Sequence, residues 1–394
     1  MTTDTDSANR LARAEPGDSS ARKEDAAKPS LFQRDGLLAT WRYMSANVLL
    51  VLGAASLVVG GYAPFAVIAV AMAVASFADE AGGDDDTTLS DRARAFCNFN
   101  LYLSLPLMCL LAVLLVRFAA ERPNPIDWPL EWIGALWVTG YLFALVGATV
   151  AHELTHRPGK MAHLVAQILL GFTGNSSFAI YHVYVHHRQV GTYDDASTAR
   201  RDERLRTFVA RALVQQFTQA AQVEAARLRR KGLPVWSRHN RLIQAHLAPL
   251  SILVLALIIG GPAGLLAIVL AGLLGRLFHE LINFVQHFGL VRVENTPIRP
   301  HHSWDCYRTI SNVLHYNLPR HSDHHMFATK PFWHLSASDR APMLPYGYQT
   351  MAFIALTPPL WRAIMRPLLV DWDKTYASEA ELDLVRERGW ENLA

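Results

Sequence analysis

"LEWIGALWVTGYLFALVGATVAHELTH", residues 130–156, is predominantly apolar until it runs into His-Glu-Leu-Thr-His. About 20 apolar residues in a helix cross a bilayer. The stretch over 130–154 therefore predicts a membrane span that ends on two histidines four residues apart. Trp132 and Trp137 stand near its far end, where interfacial aromatics are expected. Working outward, residues 44–78 exceed one crossing and break at "GGYAP", which predicts two spans joined by a tight turn. Runs over 100–120, 245–261 and 263–284 predict three more, the last two separated by "GGPAG". Six runs of this length and purity argue against core helices of a soluble protein. The expected fold is an all-α integral membrane bundle of about six transmembrane helices. A cytoplasmic helical cap would be built from 151–245 and from residues after 285.

The composition agrees. The chain of 394 residues is 51% hydrophobic and 18% charged, against about a quarter charged in soluble domains. Residues 1–36 are polar and predict a disordered tail. They lack the apolar stretch of a secretory signal and are too acidic for a transit peptide. A membrane-embedded domain over 37–372 and a short tail over 373–394 complete the expected organisation. The net charge of +3 is small and says little about partners, and no nucleic acid partner is expected. Cys97, Cys109 and Cys306 form no CxxC pair, which excludes a disulfide framework and a cysteine-ligated metal. Positive charge orients the bundle. The segment before the first span is rich in Arg and Lys, and residues 199–241 hold eleven Arg and Lys against three Asp and Glu. Both belong on the cytoplasmic side, with both termini inside, in a bacterial-type inner membrane. Within 202–231, Leu205, Phe208, Val209, Leu213, Phe217 and Ala220 recur at helical spacing. That pattern fits a helix lying among lipid headgroups and equally one packed on the cap.

Seventeen histidines are present, and nine fall in four clusters. These are His152 and His156 in "HELTH"; His182, His186 and His187 in "HVYVHH"; His287 in "NFVQHFG"; and His321, His324 and His325 in "HSDHH". Residues three or four apart share a helix face. The spacing thus predicts that His152/His156, His182/His186 and His321/His325 each point two imidazoles one way. Nine imidazoles exceed the needs of one metal and suit two ions of four or five ligands each. Imidazole accepts zinc, copper, iron or nickel. HExxH alone reads as a zinc protease with Glu153 as general base, but such a site needs no seven further histidines. A metal transporter would place ligands near mid-membrane, whereas these clusters flank the spans. Glu153, Asp194, Asp195 and Asp323 are candidates to accept N–H bonds from ligand imidazoles and fix their tautomers. His279 lies on one helical face with Asn283 and His287 and is a candidate for a similar supporting role. Asp79 and Glu80 read as an ordinary loop. Isolated histidines and the His301/His302 pair read as hydrogen-bonded residues without a metal.

In order, "HELTHR", "HVYVHH", "NFVQHFGL" and "NLPRHSDHHM" resemble the histidine motifs of integral-membrane non-haem di-iron oxygenases, in particular the alkane 1-monooxygenase and xylene monooxygenase hydroxylase group. "VGTYDDASTAR" and the Pro-Leu-Trp segment over 344–369 are similar too, so the likeness covers about 40–372. This chain has Arg157 where the alkane enzymes usually carry Lys, Tyr181 and Val185 in the second motif, and Gln286 before His287. All nine histidines are kept. The resemblance implies two iron ions on those nine histidines and hydroxylation of an unactivated C–H bond in a hydrophobic substrate, terminal or benzylic, with O2. Relatives with similar motifs also desaturate fatty acyl chains or decarboxylate oxidatively. No rubredoxin-like cysteine pairs, GxGxxG fingerprint or haem motif is present in the sequence. Electrons would come from a separate rubredoxin or ferredoxin-reductase type component, which Arg157 and Arg320 could steer unless they face lipid phosphates.

Overall fold

The computed structural model describes residues 37–390; the tail expected over 1–36 lies outside them. Among the described residues, five helices are long and apolar enough to cross a membrane: α1 (Ala39–Val59), α2 (Ala63–Gly82), α3 (Asp91–Glu121), α4 (Pro129–Thr155) and, after the cap has begun, α8 (Arg241–His287). Among the described residues there are no strands, only two isolated bridges. A straight helix as long as α8 would measure about 70 Å, more than twice the hydrocarbon thickness of a bilayer. It is not straight. Gly261 has φ 59° and ψ −158° and is followed by Pro262. A Cβ on Gly264 would stand 2.9 Å from the Ala256 carbonyl oxygen, so the chain doubles back and α8 is two arms. The break falls inside the "GGPAG" that the sequence marks.

The bundle is held by small residues and buried amides, as expected where lipid competes for apolar contact. A Cβ on Gly275 of α8 would meet the Gly140 carbonyl of α4 at 2.9 Å. Between α1 and α3, the Asn47 amide donates to the Asn100 carbonyl (2.9 Å), Ser104 donates to the Asn47 side chain (2.9 Å), and the Asn100 amide donates to the Tyr43 carbonyl (2.8 Å). The outward faces stay apolar: Val59, Phe77 and Ile258 are each more than 70% exposed, a surface made for lipid.

The cap follows α4. It comprises α5 (Lys160–Phe172), α6 (Phe178–Tyr181, running on through a π turn at His182–His186 to His187–Gln189), α7 (Leu205–Arg230), and, after α8, α9 (Thr309–Leu314), α10 (His321–Met326), α11 (Tyr348–Ala355), α12 (Pro358–Thr375) and α13 (Glu379–Glu387). Helix α7 buries a stripe of every fourth residue, Phe208, Ala212, Gln216, Ala220, Glu224 and Leu228. Leu213 and Phe217, expected on its apolar face, are exposed, because the packed stripe is chosen by polar ties as much as by hydrophobicity. Residues 373–390, grouped with the tail by sequence, are helical and packed: Val385 and Trp390 join Trp372 in the cap core.

Asp79, which reads as a loop acid, is buried at the end of α2 and accepts the Ser311 N–H at 2.9 Å, tying that span to α9. Gly347 makes this possible. Its φ of −62° suits any residue, yet a Cβ there would overlap the Asp79 carboxylate. Gly347→Ala is expected to lower stability by about 1–3 kcal/mol, the usual range for overpacking. Thermal unfolding in detergent would show it as a lower midpoint, while Gly61→Ala, with open space around its Cβ, tests the turn conformation alone.

Candidate metal centre

Four segments deliver the clustered histidines to one place. His152, His156, His182 and His324 form one group and His186, His287, His321 and His325 a second; within each, the ligand nitrogens lie within 4.8 Å of one another. His187 stands between the groups. Its Nε2 is 3.0 Å from His182 Nε2 and 3.1 Å from His324 Nε2, and its ring centroid is 4.7 Å from that of His325. The His152/His156 and His321/His325 pairs each serve one group, as the i, i+4 spacing predicts. The His182/His186 pair does not. The π turn at His182–His186 carries the His187 N–H to the His182 carbonyl, an i to i+5 step. His182 thus aligns with His187, and His186 swings to the other group. A second π turn, Phe143–Ala148, lies just before "HELTH".

The donor set fits metal ions. In the second group, His287 Nε2 and His325 Nε2 face His321 Nε2 at 3.0 and 3.1 Å. Bonds of about 2.1 Å to a shared ion place ligand atoms roughly 3.0–3.4 Å apart. His152 Nε2 and His156 Nε2 are buried without a protein partner. Burial, and repulsion from His186, press the His156 imidazole down to about 4; burial and His186 press His321 to about 3. His182, His187, His324 and His325 are pushed well below their usual value by burial and then by neighbouring histidines of the centre. All six are neutral at pH 7, the form that binds a metal.

Of the supporting residues expected from sequence, Asp195 touches a ligand. Its Oδ2 lies 2.9 Å from His186 Nδ1. Tyr181 Oη and Thr198 Oγ1 donate to its two oxygens at 2.6 Å each. Burial alone would raise its pKa, but His186, Thr198 and Tyr181 outweigh that, and the carboxyl is held below its usual value. The anion makes His186 donate from Nδ1 and leaves its Nε2 lone pair for a metal. Behind it runs a chain of contacts that the sequence did not signal: Ser197 N–H to Tyr181 Oη (2.8 Å), Gln216 to Ser197 Oγ (3.2 Å) and to Glu280 (3.0 Å), and Arg276, which donates to the Gln216 side-chain oxygen (2.6 Å) and forms an ion pair with Glu280 (2.9 Å).

The other candidates lie elsewhere. Neighbouring helical residues point about 100° apart, so Glu153 turns away from His152. It accepts from Arg157 Nε (2.9 Å) and the Phe332 N–H (3.2 Å). Asp323 binds Lys330 (2.6 Å) and the Ser336 N–H (2.9 Å). Asp194 is exposed. His279 reaches a ligand through Phe178: that ring lies edge-on to His279 at 5.0 Å and stacks on His182 at 4.6 Å. Gln286 Nε2 lies 3.5 Å from His321 Nδ1 and donates to Tyr348 (3.0 Å). Arg157 lies over Trp333 at 4.5 Å. Arg320, fully buried, donates to the carbonyls of Thr87, Asp85 and Leu335. Arg320 is therefore not placed to steer a partner; both arginines order the loops around α10. His301, His302 and Glu381 also converge, but the Arg299 N–H donates to His302 Nδ1 at 3.0 Å. That fixes the proton on Nε2, which donates to Glu381 at 2.8 Å. These bonds clamp α13.

A cavity opens beside the histidines. His152, His182, His186 and His321 line one end; Trp137, Phe353 and Leu356 line the other and are exposed on the apolar outer surface. Tyr141, also in its wall, precedes His152 by three turns, so the cavity extends about 16 Å along α4.

Spans, cap and paired histidine groups define a multi-pass membrane protein with a metal-binding histidine centre. The family model described as fatty acid desaturase matches residues 126–355. Alkane 1-monooxygenase 1 of Pseudomonas aeruginosa is 37% identical over 270 residues, 65% of this chain and 68% of the relative. The xylene/toluene monooxygenase hydroxylase component XylM of Pseudomonas putida is 33% identical over 300 residues, 75% and 81%. Alkane 1-monooxygenase 2 of Pseudomonas aeruginosa is 34% identical over 276 residues, 67% and 72%. The chain belongs to this family of membrane monooxygenases, inside the wider fatty acid desaturase group.

Proposed function

We propose that the two histidine groups hold two iron ions, and that the protein hydroxylates an unactivated C–H bond, terminal or benzylic, of an alkane or alkylbenzene. The observation that carries this reading is the convergence of nine imidazoles at one end of an apolar cavity. Relatives named for alkanes and for xylene and toluene support a hydrocarbon substrate. His152, His156, His182 and His324 would hold one ion and His186, His287, His321 and His325 the other, with His187 completing the set between them. Bound iron supplies the redox chemistry that turns O2 into an oxidant for C–H bonds. The overall reaction takes RH, O2, two electrons and two protons to ROH and water. Two electrons must therefore come from outside, from a rubredoxin or ferredoxin-reductase type carrier on the cytoplasmic side of the inner membrane. The basic residues of 199–241 support that orientation.

The chain's own residues bind, orient and exclude water. Leu145, Ala148 and Phe278 give an alkyl chain an apolar wall, worth about 25 cal/mol per Å² buried. Asp195 holds His186 in the binding tautomer, and the buried arginine and amide ties keep α6 and α10 in register.

Metal analysis and product analysis test the reading. Purified protein is expected to hold about two irons; zinc without iron would overturn it. With a rubredoxin system, NADH and labelled O2, label is expected in an alcohol formed from an alkane or alkylbenzene. An unlabelled alkene would move the assignment to desaturation or decarboxylation. Ala148 lines the cavity one turn before His152. Ala148→Phe is expected to narrow it there and to cut turnover of long alkanes at least tenfold while iron content is unchanged, read by comparing short and long substrates.

A further inference from the structure

A second cavity, of about 1000 Å³, is a groove between α3, α5 and the first arm of α8. Its wall is apolar, with Val113, Leu164, Ile168, Ile252, Leu255 and Ile259 along it. From Arg241 to Ile259 it follows the arm for about 27 Å, close to the thickness of the hydrocarbon layer. At one end the lining changes to Lys160, His163, Arg241 and Gln244, and no acidic residue lines the groove anywhere.

The mouth keeps a net positive charge. Lys160 is exposed and has no ion-pair partner among the described residues. It is also the first residue of α5, where the free N–H groups of a helix start add positive potential. Arg241 shares the buried carboxylate of Glu224 with Arg227, so these three keep one net positive charge. Five residues before Arg241, Trp236 is 88% exposed and Arg238 is exposed beside it. An exposed tryptophan among cations marks the headgroup level of a bilayer. About 10 Å deeper along α5, Gln167 faces the groove and its side-chain oxygen is buried without a protein partner. Its amide stands where a lipid's glycerol ester linkage would lie.

We propose that this groove is a binding site for an anionic glycerophospholipid, with the phosphate at Lys160, His163 and Arg241 and the acyl chains along the wall toward Ile259. Cations at the membrane surface favour anionic lipid by about fivefold each, and a groove that also fits the chains converts that preference into a retained molecule. The site is distinct from the histidine centre, and its test does not depend on turnover.

The experiment is native mass spectrometry of the full chain, purified in mild detergent and exposed to an equal mixture of phosphatidylglycerol and phosphatidylethanolamine. Retention of phosphatidylglycerol over phosphatidylethanolamine by at least fivefold is expected. Lys160→Glu should remove that preference, and Ser251→Trp, which fills the groove, should reduce retention of both lipids. Because Lys160 is exposed and unpaired, its variant should unfold at the wild-type midpoint in lipid-free detergent. Retained lipid that mirrors the mixture, or an unchanged preference in Lys160→Glu, overturns the proposal.

Discussion

Replacing His187 with alanine is expected to lower turnover at least about 100-fold in a protein that still folds. His187 belongs to neither group of four, yet its Nε2 lies 3.0 Å from His182 and 3.1 Å from His324. Its ring also packs at 4.7 Å against His156 and His325, so it touches both groups. Outer partners of metal ligands already cost 10–100-fold when removed; a histidine in the ligand set should cost no less. The ring is partly exposed, so its loss opens no large core cavity. The checks are turnover with labelled O2, iron per protein, and the unfolding midpoint. Reduced iron with an intact midpoint is expected. Full iron with near wild-type turnover would remove His187 from the centre. His302→Ala is the contrast: it should loosen α13, where His302 holds Glu381, and leave iron alone.

The spans were legible because lipid imposes a simple rule: long apolar runs and breaks at Gly and Pro. The reversal at Gly261 shows this, since a glycine with positive φ followed by proline leaves the helix no way to continue. The histidine clusters were legible for a similar reason. Imidazole is rarely clustered without a metal, and two clusters at the ends of spans and two in the cap had one place to meet. What sequence spacing missed is local geometry. An i, i+4 rule assigns His182 and His186 to one face, but it assumes 3.6 residues per turn. The π turn there breaks that assumption, and no residue in "HVYVHH" announces it. Arg320 was similarly opaque. An arginine beside a ligand reads as a surface cation, yet it is the tie that fastens the α10 loop to three carbonyls. Buried guanidinium is tolerated where donors find acceptors, and those acceptors come from residues 85, 87 and 335, which no local pattern links to Arg320.

Asp195 and its neighbour Asp194 look alike in sequence, and substituting them should separate them sharply. Asp195→Asn is expected to weaken metal binding at the second group by 10–100-fold; Asp194→Asn, at an exposed position, should do nothing. The reason is the donor count. The Asp195 oxygens receive Tyr181 Oη (2.6 Å), Thr198 Oγ1 (2.6 Å), His186 Nδ1 (2.9 Å) and the Ser197 N–H (3.3 Å). Every neighbour donates, so a carboxylate satisfies all of them and an amide cannot. Asparagine must turn its NH2 toward one side. If it faces His186, the imidazole has to accept at Nδ1, which puts the proton on Nε2 and blocks the lone pair a metal needs. If it faces Tyr181, that hydroxyl loses its buried acceptor and the chain through Ser197, Gln216 and Glu280 is broken at its first step. Chelator titration with iron quantified per protein should show one of the two ions leaving early. Glu153→Gln provides the opposite signature. Glu153 accepts from Arg157 and the Phe332 N–H, so its variant should unfold at lower temperature and keep both ions. Wild-type chelator resistance in Asp195→Asn would show that its hydrogen bond to His186 does not set the tautomer, and the role would pass to the packing of α6 itself.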